Sequence, residues 1–136
     1  MKNKYFILAL ALCLCATLTL GCNKGPKKVL VTGTVTVAGE KVETGAVTLI
    51  DVDTGINDGA RIINGEFECE TTTGTKKVTC LGSKVVGEAP ADPLYPDRMA
   101  NVYEDFPSQV FTEEITVTVK KKGDVLEIKY SGEGKQ

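Results

Sequence analysis

Four side chains with oxygen donors fall within a short stretch: Asp51, Asp53, Asn57 and Asp58. A calcium ion takes roughly six to eight oxygens, often from one loop. The spacing does not fit an EF-hand, whose glycine and terminal glutamate are misplaced or missing here. Asp, Asn and Gly also build turns through their backbone habits, which is the simpler reading of 51–59. No metal is therefore assigned, and Asp51, Asp53 and Asp58 are the weak candidates should a cation bind. Cys69 and Cys80 are the second chemical feature. Two such thiols either bridge in an oxidising compartment or remain small buried hydrophobes. The 136-residue chain has no histidine. That removes nucleophile–histidine catalysis and histidine-ligated zinc. No pair of acids stands out from solvated surface glutamates, so no catalytic residue and no cofactor is expected, and the chain reads as a non-enzyme.

The elements that would position these residues begin after residue 21. Lys2 and Lys4 precede an uncharged apolar run over 5–20, the anatomy of a secretory signal peptide. The run is shorter than the ~20 residues a membrane-spanning helix needs. Leu18-Thr19-Leu20-Gly21-Cys22 resembles the lipobox of bacterial lipoproteins, with Thr19 where leucine is usual. The resemblance implies cleavage after residue 21 and lipidation of Cys22. Each buried acyl CH2 contributes ~0.8 kcal/mol, so several chains, such as palmitate, hold a protein firmly to a membrane. Residues 22–28 carry Gly25 and Pro26 among polar neighbours and read as a short tether. The expected address is the cell envelope, on the periplasmic or outer surface.

The body reads as strands. In 29–37, Val29, Val31, Val35 and Val37 share one face, with Leu30 and threonines on the other. Period-two alternation of β-branched residues predicts a half-buried strand. Gly33 falls on the apolar face and points to a bulge or a close backbone approach. Residues 38–41 turn, Val42 returns to the core, Gly45 breaks the chain, and 46–52 form a second strand. A short strand over 60–63 leads into Asn64-Gly65, a strong hairpin signal. Phe67 and Cys69 then point inward between glutamates. Residues 71–75 turn, and Val78 and Cys80 point inward from the next strand. Residues 82–108 hold four of the five prolines and no clear period, which predicts a long loop, with room for one helical turn over 98–105. Ile115, Val117 and Val119 alternate, 120–123 turn, and Leu126, Ile128 and Tyr130 alternate back. About seven short strands with regular turns predict an all-β, antiparallel sandwich over 29–131, followed by a polar tail at 132–136.

The ordered set Val31-x-Gly33-x-Val35, Gly39, Val42, Gly45-x-Val47, then Asn64-Gly65-x-Phe67 and Gly74-x3-Val78, resembles a carboxypeptidase regulatory-like domain. Tyr95-Pro96 and the segment from Tyr103 to Pro107 are similar to the tyrosine- and proline-containing stretch of small lipoproteins built from that domain. The resemblance implies a prealbumin-like (transthyretin-like) Greek-key β-sandwich without shared catalytic residues. In that fold the strands of Cys69 and Cys80 face each other, which makes a disulfide sterically reasonable, stabilising by ~2–3 kcal/mol in the chain-entropy model. Lys76 departs from the family, which usually places an aromatic there, so packing on that strand must be supplied differently.

A net charge of −2 with scattered lysines gives no basic face for nucleic acid. The expected function is a membrane-anchored, structural or partner-binding lipoprotein module, with an envelope protein or a glycan as partner. The alternative is a small-ligand or calcium-binding module using the 82–108 segment.

Overall fold

The structure, a computed structural model, describes residues 25–133. The expected signal peptide over 1–21, the lipidation residue Cys22 and the last residues of the polar tail lie outside the described residues.

Nine strands form: β1 Lys28–Val37, β2 Glu40–Lys41, β3 Thr44–Asp51, β4 Asn57–Ile63, β5 Glu66–Thr72, β6 Gly74–Asp92, β7 Tyr95–Asp105, β8 Ile115–Val119 and β9 Val125–Tyr130, with one 3-10 turn at Ser108–Thr112. The hydrogen-bonded path runs β2-β1-β5-β4-β3-β6-β7, with β9 on β1 and β8 on β6. β4 and β5 pair only at Ile63 and Glu66, where the path folds over at the Asn64-Gly65 hairpin. Both turn residues take positive φ, 53° and 80°, as a tight primed turn requires. The chain is an all-β, antiparallel β-sandwich. One pair departs from the expected pattern, since β9 runs parallel to β1.

The alternation read from the sequence places the core. Val31 and Val35 from β1, Phe67 and Cys69 from β5, and Leu126, Ile128 and Tyr130 from β9 pack with Val47 and Leu49 from β3, Ile62 from β4, and Val78 and Cys80 from β6. Burying a side chain of this size contributes about 2 kcal/mol each. Gly33 is where two backbones and a ring converge. A Cβ there would meet the Phe67 ring at 2.5 Å and the Leu126 carbonyl oxygen at 2.7 Å.

Strand register sorts the sandwich into two ends. Lys28 pairs with Thr72, and Asp51 with Lys76, at one end. Thr44 pairs with both Ile63 and Ser83 at the other. The described chain enters at the first end, the entry end.

From the opposite end β6 does not stop. The long loop expected over 82–108, with its helical turn over 98–105, is instead a two-stranded arm. β6 continues to Asp92, and β7 returns beside it from Ser83↔Asp105 out to Asp92↔Tyr95. The turn at its tip is an Asx turn in which the Leu94 N–H donates to Asp92 Oδ1 at 2.8 Å. Proline and the missing period misread the segment because both faces of the arm are in water, so neither face selects for alternation. Helix does appear nearby, but at Ser108–Thr112, where Val110 is buried.

Gly45 does not break the chain as expected; it lies within β3 opposite Gly82. A Cβ on Gly45 would stand 2.1 Å from the Leu81 carbonyl oxygen, and one on Gly82 would stand 2.3 Å from Val42. This contact lets the two strands press together where the arm leaves the body.

Candidate functional site

The entry end of the core is closed by charge. Asp51, at the end of β3, and Asp58, paired with Leu49 on β4, both turn inward and are buried. Lys76, on β6, is fully buried at 0% exposure, yet it carries an ammonium. Its Nζ donates to Asp51 Oδ2 at 2.5 Å and to Thr72 Oγ1 at 2.5 Å. Thr72 Oγ1 also donates to Asp51 Oδ2 at 3.2 Å. The other carboxylate oxygen, Oδ1, accepts the backbone N–H of Asp53 at 3.1 Å and of Thr54 at 2.9 Å. The Lys76 ammonium and the Thr54 N–H hold the Asp51 carboxyl far below the usual carboxylate range. A buried cation is tolerated only when it is paired and hydrogen-bonded, and here it is both. Lys76 thus packs as an ion pair that ties β3, β5 and β6 together.

Beside it, Lys28 forms an ion pair with Asp58. That carboxylate's hydrogen bond and charge push the Lys28 ammonium up from its ordinary range. The pair clamps the first residue of β1 onto β4, across the two layers, at the entry end of the body.

The same contacts engage the calcium candidates. Asp51 has both oxygens committed to protein donors, one of them a cation. Asp58 is engaged by Lys28, and Asp53 is exposed in the turn. The three do not converge, and among the described residues no group of three or more Asp, Glu and Cys side chains gathers to hold a metal ion.

Cys69 and Cys80 are both inward and buried, as the alternation predicts, but they are free thiols and not the expected bridge. They occupy separate surroundings: Cys69 feels the charges of Asp58, Lys28 and Glu70, whereas Cys80 lies near Tyr130. Burial pushes the Cys80 thiol up to about 12 and raises that of Cys69. Thiols so protonated are poor nucleophiles.

The arm end is different in character. Its root is held by the Phe106 N–H donating to the Gly82 carbonyl at 2.9 Å and by a file of rings. Phe106 stands edge-on to Phe111 at 6.2 Å, and Phe111 edge-on to Tyr130 at 5.1 Å. Ser83 Oγ donates to Asp105 Oδ1 at 2.6 Å across the base. Beyond that base all of β7 is exposed. Leu94, at the tip, is 82% exposed, and Tyr95, Met99, Val102, Tyr103 and Val86 also face solvent. An open groove of about 760 Å³ crosses the outer face of the body, lined by Thr32, Thr34, Arg61, Phe67 and Val125 among others.

Reading the sequence missed two of these features. The pairing of Lys76 with Asp51 has no local signal, because it needs the β3–β6 register. The arm had a local signal in Asp92-Pro93-Leu94-Tyr95, a turn sequence between two stretches of β-tolerant residues.

No protein-family model matches the chain, and no curated protein does. Among solved structures it is similar to a DUF3823 family protein from Bacteroides ovatus, at 19% identity and a TM-score of 0.42. The likeness covers 76% of this chain but 44% of that one, so this chain spans less than half of its length. At that TM-score the likeness bears on neither partner nor activity.

Proposed function

We propose that this chain is a non-catalytic lipoprotein module of the cell envelope, anchored by acyl groups on Cys22 and presenting its arm to a partner. The sandwich would then be the spacer that resembles a carboxypeptidase regulatory-like domain, and the arm the binding element. The observation that carries this reading is the opposition of the two ends. The chain enters at Lys28, beside Thr72, and the arm leaves beyond Ser83, at the far end of β6. A seven-residue tether at 22–28 reaches at most roughly 25 Å when fully extended. The end at Lys28 would therefore stay close to the bilayer. The buried Asp51, Asp58 and Lys76 are each held by a protein hydrogen-bond partner, which favours binding over acid–base chemistry.

The test is metabolic labelling with an alkyne fatty acid, followed by membrane fractionation of wild type and Cys22→Ala. Wild type should take up label and sediment with membranes, and Cys22→Ala should do neither. Unlabelled wild type, or a Cys22→Ala protein retained as well as wild type, would overturn the anchor.

A further inference from the structure

We infer that the outer edge of β7 is a self-association edge, pairing antiparallel with β7 of a second copy about a two-fold axis at Asn101. The inference rests on the reading of the arm as the binding element, and it is independent of the lipid anchor.

β7 is bonded to β6 along one edge, and among the described residues no strand covers the other. An isolated two-stranded hairpin is at best marginally stable in water, and three or more strands are needed for a durable ribbon. The arm nevertheless exposes several large apolar side chains along its length. Natural edges are usually blunted by lysines, bulges or prolines. Here Pro96 and the register shift after Pro90 lie near the tip, a second shift at Val85/Gly87 falls on the β6 side, and β7 itself has no lysine. From Met99 to Val102 β7 pairs with β6 without a register shift, and its outer edge is open.

The sequence of that edge is complementary to itself in one register. With Asn101 opposite Asn101 of the second copy, Met99 faces Tyr103, Ala100 faces Val102, and Arg98 faces Glu104. The symmetry makes each of those unlike pairs twice. Arg98 makes no ion pair among the described residues and lies against the Tyr95 ring at 5.0 Å. A centre moved to Ala100 puts Arg98 opposite Val102. A half-step the other way puts Met99 opposite Glu104. Of these three registers, the Asn101 one alone puts both Met99 and Ala100 opposite apolar side chains and Arg98 opposite an acid, which is how cross-strand pairs stabilise a sheet. Asp97 and Asp105 face each other just outside this block. Register with β6 is last regular at Met99, so Arg98 and Asp97 both lie on the irregular stretch, and Asp105 is turned to Ser83. The result is a four-stranded ribbon, β6-β7-β7-β6, joining two sandwiches arm to arm.

The test uses full-length protein in detergent. Directly opposed residues in an antiparallel pair have Cα atoms about 4.5–5.5 Å apart, within disulfide reach. Asn101→Cys should therefore give a disulfide-linked dimer under mild oxidation, while Lys122→Cys, on the exposed β8–β9 turn, should not. In sedimentation, wild type should run as a dimer. Arg98→Glu and Glu104→Arg should each raise the dissociation constant at least about tenfold, and the double swap should restore it. The double swap also separates the intermolecular pair from the Lys84 that faces Glu104 within one chain. A folded protein that stays monomeric at every concentration reached would overturn the inference. So would equal cross-linking of Asn101→Cys and Lys122→Cys. Neither outcome touches the anchor, which is read by membrane retention.

Discussion

The Lys76 ammonium and the Asp51 carboxylate meet at 2.5 Å inside the sandwich, 25 residues apart in the chain and directly opposite in the β3–β6 register. Thr72 from the other layer completes the cluster. The pair closes one end of an otherwise apolar core, and its removal in halves and as a whole should differ sharply.

Lys76→Ala leaves the buried Asp51 carboxylate without its cation and opens a gap in β6. Breaking a buried pair from one side costs about 3–5 kcal/mol. Urea unfolding of the variant should show a loss of that size. Lys76→Met combined with Asp51→Asn removes both charges while keeping an oxygen for the Asp53 and Thr54 N–H groups. The double variant should recover most of the loss. If the double variant were as weak as the single, the ion pair would be contributing packing alone.

Stability should fall with acid in a defined window. Asp51 is held below its ordinary value of 3.8, so its contribution is complete above that pH and is lost as pH falls further toward the folded-state value. Asp124, which accepts the Lys120 and Lys121 N–H groups, and Glu127, beside Lys129, are lowered too and act with the same sign. Urea midpoints measured from pH 6 downward should stay flat to about pH 4 and drop below it. The drop should be shallower in Lys76→Met, and equal slopes in both proteins would remove Asp51 as its source.

Both core thiols should be silent in the folded protein. With Cys80 raised to about 12 and Cys69 also raised, the thiolate population at pH 8 is negligible, and burial denies access as well. Iodoacetamide should leave Cys69 and Cys80 unmodified in native protein and alkylate both in urea without reductant. Resistance in urea that disappears on reduction would show a bridge.

The arm should be dispensable for folding. Side chains of β7 contribute nothing to the core, and β6 completes its pairing with β3 at Ser83. Replacing residues 86–102 with Asn-Gly should leave the unfolding free energy of dilute protein within about 1 kcal/mol of wild type. A larger loss would mean that the arm supports the body.

The sequence was most legible where one face of a strand is buried. Val31, Val35, Phe67, Leu126 and Ile128 were placed inward by alternation, and all are in the core. The Asn64-Gly65 hairpin followed from the positive φ that its turn demands. Gly33 on the apolar face marked the close approach of Phe67 and Leu126. Legibility failed over 82–108, because a two-stranded arm in water has no dry face to impose a period. It failed again at Asp51, where turn chemistry explained the local residues and concealed a partner 25 residues away.

By itself, then, the sequence determined an all-β, antiparallel sandwich and which side of most strands is dry, because period-two burial is written residue by residue. Only the tertiary structure decided what lies at the two ends. A buried lysine finds its aspartate, and a strand extends past its last neighbour, only through register between distant segments. Register is a property of paired strands, and no single stretch of sequence carries it.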